Sequence, residues 1–144
     1  MRVLSAAIAL LLVAFGQVVR AQTSLAQESQ RLDPRILTAD RAKYKDIRDA
    51  KDWLNPKVLV GADGIEVVSS GLSGGRKTVT ADTLRGVLID LPVEAWPYGR
   101  VVLASDPGPR SGTQSEDERI RRNHDAVQRI LKGLAVLGDW WPPA

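Results

Sequence analysis

The sequence predicts an α+β fold: one small domain in the order ββαβαβ, with two helices packed on one face of a mostly antiparallel or mixed sheet. Three stretches carry that expectation. "KVLVGADGIEVV", residues 57–68, sets two β-branched runs around a Gly/Asp turn, which is how a hairpin is written. "TADTLRGVLIDLP" places Leu84, Val87, Leu88 and Leu91 at i, i+3, i+4 and i+7, a single apolar helical stripe. "SEDERIRRNHDAVQRILKG" leads with acids and trails with bases, the charge order that favours a helix.

The elements follow in chain order. Residues 1–21, "MRVLSAAIALLLVAFGQVVRA", combine Arg2, an apolar run and small residues at Val19 and Ala21. This is the pattern of a signal peptide cleaved before Gln22. An uncleaved anchor is the rival reading, although Val3 to Val19 is short for a span of about 20 apolar residues. Residues 22–37 are polar and aperiodic and read as a flexible leader to a domain covering residues 38–144. "TADRAKYKDIRDAKDWLNP" has two readings. One is a helix capped by Asp40 with Tyr44, Ile47 and Leu54 along one face; the other is an extended segment packed through Tyr44 and Trp53. Pro56 ends either.

In the hairpin, Asp63-Gly64 is expected to supply a positive φ for the turn. "SSGLSGG" is a loop, and "RKTVT" adds at most a short edge strand. Thr80 caps the first helix and Pro92 stops it. Gly86, in its middle, costs about 1 kcal/mol relative to alanine, which would be explained by a close approach to the sheet. "VEAWPYG" connects this helix to the buried strand "RVVLAS". Ser115 and Glu118 form a capping box for the second helix, with Gly133 as its C-terminal stop. "LAVLG" is the last strand, before "DWWPPA".

Composition narrows the chemistry. The formal charge of +3 falls almost to neutral once Arg2 and Arg20 leave with the signal, so nothing electrostatic argues for nucleic acid or an anionic membrane surface. A membrane is a partner only if the N-terminal segment is not cleaved. There is no cysteine, hence no disulfide, and an exported chain of about 120 residues must rest on its apolar core.

"GLSGGRKT" approaches the phosphate-binding G-x-x-x-x-G-K-[ST] loop, but Arg76 stands where a glycine must let the backbone wrap a phosphate. His124 is the single histidine and lies on the apolar stripe of its helix between Ile120 and Val127, as a satisfied, partly buried side chain would. A lone histidine without cysteines does not make a zinc site, and neither metal nor cofactor is expected. The alternative is a carbohydrate-active or other hydrolytic enzyme using Glu94 with Asp90 or Asp106.

The aromatics are biased toward tryptophan, with 4 Trp against 2 Tyr and 1 Phe. Trp96, Tyr98, Arg100, Trp140 and Trp141 combine the residue types that dominate binding hot spots. "VEAWPYG" is read first as a connector stiffened by Pro92 and Pro97, and second as a contact surface. Trp140 and Trp141 should point to opposite faces, one in the core and the other partly exposed.

The run through "VLVGADGIEVV", "TADTLRGVLIDL", "RVVLASD" and "HDAVQRILKGLAVLG" resembles the periplasmic domain of the ExbD/TolR family. The resemblance covers about residues 57–138 and implies the same ββαβαβ order. It departs where that family's membrane segment carries an aspartate for proton coupling, because residues 3–19 here contain no acid. "AWPYGRVV" and the "WWP" ending are also similar to small exported bacterial proteins of uncharacterised function. The expected function is therefore a small, periplasmic or secreted, non-catalytic module that binds an envelope protein or a cell-wall polymer.

Overall fold

Alternation along the first two strands settles which side of the sheet is the inside. Val58 and Val60 on β1 (Lys57–Val60) and Ile65 and Val67 on β2 (Ile65–Val68) are all buried on one face. With β3 (Arg76–Val79), β4 (Val101–Ser105) and β5 (Leu137–Trp141) they form one mixed sheet in the order β3-β2-β1-β4-β5. The first three strands meander antiparallel, while β4 runs parallel to β1 and β5 parallel to β4. Parallel neighbours need crossovers, and α1 (Ala81–Asp90) and α2 (Gln114–Gly133) lie in them. This computed structural model describes residues 31–107 and 112–142. The expected signal segment, all of the expected leader before Arg31, residues 108–111 and the last two residues lie outside the described residues.

Both helices pack on the same face. Leu84 and Leu88 of α1 and Val127 and Leu131 of α2 join the β-strand valines in one buried cluster. Full burial of a leucine is worth about 1.5–3 kcal/mol, so Leu84 and Leu88 together outweigh the helix penalty at Gly86. Gly86 itself is exposed, and a Cβ built there would meet nothing within 4 Å. The close approach expected of it is therefore absent. Packing also reaches upstream of residue 38, because Leu32 and Ile36 are buried in this same cluster.

Three local details differ from the sequence expectation. Gly64 is not among the positive-φ residues; instead it sits close to the neighbouring strand, where a Cβ would lie 3.2 Å from both Thr78 Cγ2 and Val79 O. Thr113, not Ser115, caps α2: its Oγ1 accepts from Glu116 N at 3.2 Å, and Glu116 Oε2 accepts from Thr113 N at 3.1 Å. The helix also ends later than Gly133 suggests. Ala135 takes the left-handed conformation (φ 54°), Val136 N donates to Leu131 O at 2.9 Å, and Ala135 N to Lys132 O at 3.1 Å. This is a Schellman motif, sealed by contact between buried Leu131 and Val136. It consumes residues 134–136, so the last strand starts at Leu137 rather than Leu134 and takes in both terminal tryptophans.

The opposite face of the β4–β5 half carries a second, aromatic cluster. Residues 39–53 form a strap over it, built from two short 3₁₀ turns, Arg41–Lys43 and Ala50–Asp52, rather than from a helix. Asp40 and Asp49 cap these turns by accepting from Ala42 N (3.2 Å) and Lys51 N (2.9 Å). Tyr44, Ile47 and Trp53 pack with Tyr98, Val101, Leu103 and Trp141, whereas Leu54 is left 62 % exposed. Covered on both faces, β4 buries Val101 through Ala104.

One polar side chain ties the strap to the sheet. Asn55 is buried; its Nδ2 donates to Gly99 O and Val101 O, both at 2.7 Å, and its Oδ1 accepts from Tyr98 N at 2.8 Å. Replacement by alanine would strand Tyr98 N and Val101 O at about 1–3 kcal/mol each, while Gly99 O keeps its bond from Val101 N at 2.8 Å, so Asn55→Ala is expected to lose at least about 2 kcal/mol in urea unfolding. Gly86→Ala should move the other way, stabilising by about 0.5–1 kcal/mol in the same measurement, since the added methyl meets only solvent.

Candidate functional site

The five expected contact residues do not form one patch. Trp96 is buried in the helix-side cluster and Tyr98 in the strap-side cluster, so two residues of one connector serve two cores. The Tyr98 hydroxyl accepts from Leu54 N at 3.3 Å, and Arg100 Nε donates to Ile36 O at 2.9 Å. Gly99 lies between them with φ 80°, so close to the chain that a Cβ would fall 2.3 Å from Thr38 O. Asp40 N–Tyr98 O and Arg100 N–Leu37 O bonds, both 2.9 Å, hold residues 37–40 along this connector. Structure thus accounts for most of what Trp96, Tyr98 and Arg100 do.

Trp140 and Trp141 do point to opposite faces. Both, however, are partly buried: Trp140 packs against the helix-side cluster and Trp141 against the strap side. The partly exposed tryptophan is as expected, but neither is the fully buried core tryptophan, because each face of β5 has a layer that covers it only in part. Trp141 meets Trp53 edge-on at a centroid distance of 5.9 Å. Trp140 lies 4.0 Å from the His124 ring, tilted by 33°.

His124 has a further partner that sequence reasoning kept separate from it. Its Nδ1 lies 2.9 Å from Asp106 Oδ2, with the two side chains 26 % and 31 % exposed. Asp106 directly follows β4, and the helix that returns from this end of the strand carries His124. A strand-helix pair of this kind brings such residues together, which was the available signal. The carboxylate fixes the orientation of the imidazole and, in the neutral ring, favours a proton on Nδ1. Nearby, Asn123 Nδ2 donates to Gly61 O at 2.8 Å, pinning α2 to the end of β1.

Of the carboxylates of the hydrolytic alternative, Asp106 is separated from Glu94 and Asp90 by the length of β4. Asp90 ends α1 and Glu94 lies in the 3₁₀ turn Val93–Ala95, both before β4, whereas Asp106 follows it. Five strand residues at about 3.3 Å each place Asp106 at the far end. Among the described residues, no group of three His, Cys, Asp or Glu could hold a metal ion, and no helix is long and apolar enough to cross a membrane.

Among the described residues, β5 is an unpaired edge of the sheet. Leu137 N donates to Arg100 O at 2.9 Å, and the alternation of a parallel ladder then turns the N–H and C=O of Gly138 and Trp140 away from β4. Each side of this edge has a cleft. On the helix side, Leu131, Val136 and Trp140, with Gln128 and Lys132, line about 530 Å³. On the strap side, Arg41, Tyr44, Lys45, Arg48, Asp139 and Trp141 line about 510 Å³. Burial, followed by the charge of Asp139, raises the Tyr44 hydroxyl pKa above its ordinary value. Leu137 borders both clefts and is 59 % exposed. Sequence reading missed the cleft because it took this stretch through Tyr44, Ile47, Trp53 and Leu54 and gave no role to Arg41, Lys45 and Arg48.

The two tryptophan contacts should behave as separate units. A Trp53/Trp141 double-mutant cycle by thermal or urea unfolding should show about 0.5–1.5 kcal/mol of coupling, as for other edge-on aromatic pairs. A His124/Trp141 cycle, whose side chains pack on opposite faces of the sheet, should be additive within about 0.3–0.5 kcal/mol. Comparison with family models, with curated proteins and with solved structures finds no significant match to this chain.

Proposed function

We propose that this chain is an exported binding module whose partner is an extended polypeptide segment of an envelope protein, added as a sixth strand beside β5. The observation that carries the reading is the open β5 edge, with the backbone groups of Gly138 and Trp140 turned outward between two clefts. Backbone groups facing out along an edge are matched best by another backbone, and clefts on alternate faces receive alternate side chains. That favours a protein segment over a cell-wall polymer.

The other edge of the sheet is guarded. On β3, Arg76, Lys77 and Thr78 are exposed and Arg76 pairs with Glu66 at 3.3 Å, the charged surface that discourages strand pairing. Asymmetry between the edges supports β5 as the site of addition. Export rests on the signal-like pattern of residues 1–21. Separation of Glu94 from Asp106 across β4 counts against one of the two carboxylate pairs of the hydrolytic reading, Glu94 with Asp106.

Panning a random octapeptide display library against the full chain without its signal tests the proposal. Selected peptides should shift the backbone amide resonances of Gly138 and Trp140. N-methylation of the peptide at alternate amides should abolish binding in one phase and spare it in the other, because only one set of amides faces β5. Selected peptides that leave these resonances unmoved, or tolerate N-methylation in both phases, would refute strand addition.

A further inference from the structure

The two clefts differ in charge, and that difference specifies the partner strand. We infer that the segment added at β5 alternates acidic and apolar residues, its acidic side chains entering the strap-side cleft and its apolar ones the helix-side cleft. The inference rests on the strand-addition reading and specifies its ligand.

On the strap side, Arg41, Lys45 and Arg48 surround a space that holds one carboxylate, Asp139. Among the described residues, no carboxylate lies within ion-pair distance of these three cations. Arg48 is partly spent on the chain itself, since its Nη1 donates to Lys45 O at 2.7 Å. The guanidinium of Arg41 and the ammonium of Lys45 remain to meet an incoming anion, and the Tyr44 and Trp141 rings flank the space. On the helix side, Leu131, Val136 and Trp140 offer apolar walls. Successive side chains of a strand paired with β5 point to these two sides in turn. Acid on one side and aliphatic on the other is the pattern complementary to both at once. A second copy of β5 is a poorer fit, because it would present Leu137, Asp139 and Trp141 to the cationic cleft.

Three synthetic octapeptides, alternating Val with Glu, Gln or Lys, provide the test by titration into the full chain without its signal, followed by amide resonance shifts on β5. The expected order is Glu tightest, then Gln, then Lys. The Glu-to-Lys gap should be about tenfold or more in low salt and should shrink as salt is added. The double variant Arg41→Glu with Lys45→Glu should reverse the order, and a matched melting temperature would show that its fold is intact. Equal binding of all three at β5 overturns the acidic preference while leaving strand addition standing. Failure of all three to bind, when library-selected peptides do shift Gly138 and Trp140, overturns it likewise. No β5 shifts with any peptide, library-selected ones included, count against strand addition itself. Sedimentation showing a dimer closed through β5 in the absence of peptide would make the occupant a second copy and overturn the inference.

Discussion

Asn55 is the constraint on which the arrangement of this domain depends. Its amide satisfies three backbone groups of the 98–101 connector at once, in a place where water does not reach. A buried backbone group without a partner costs about as much as a hydrogen bond is worth, so the connector can enter β4 by this route only where such a side chain is present. The same contact fixes where β1 begins, because Pro56 follows Asn55 and its carbonyl accepts from Leu103 N at 3.2 Å. One side chain therefore sets the register between the strap, β1 and β4.

From that anchor the two-sided construction follows. With the connector held, Trp96 falls on the helix side and Tyr98 on the strap side, and Gly99 lets residues 37–38 approach closer than any Cβ would permit. The strap then has an aromatic floor of Tyr98, Trp53 and Trp141, whose rings meet edge-on or tilted at centroid distances of 5.3–5.9 Å with Tyr44. Irregular chain with two 3₁₀ turns covers the sheet as well as a helix could, because aromatic area rather than helical periodicity supplies the burial.

This construction also explains why β5 remains an edge while its side chains are partly covered. Helix and strap close over the two faces, and among the described residues no further strand pairs with β5, so its outward backbone groups have no ladder partner. At the opposite edge β3 is short, and its first three residues are exposed. The strap carries its basic side chains to the rim of β5, where cover on one face becomes the charged wall of a cleft.

Much of the scaffold was legible in the sequence because it is local. The hairpin, the α1 stripe of Leu84 and Leu88, the helical charge order of α2 and the opposite orientations of Trp140 and Trp141 all follow from periods of two or 3.6 residues and from turn chemistry. The misplaced boundaries were decided by contacts. A Thr113 cap competed with an equally good Ser115 pattern, and burial of Leu134 and Val136 moved the left-handed stop of α2 from Gly133 to Ala135, delaying the last strand. The candidate site was hardly legible at all. Pairing of His124 with Asp106, convergence of Arg41 and Lys45 on Trp141, and the roles of Asn55 and Gly99 join residues far apart in the chain. Periodicity reports which way a side chain points from its own element. Only the closed structure, where desolvated groups must find partners, decides what it meets there.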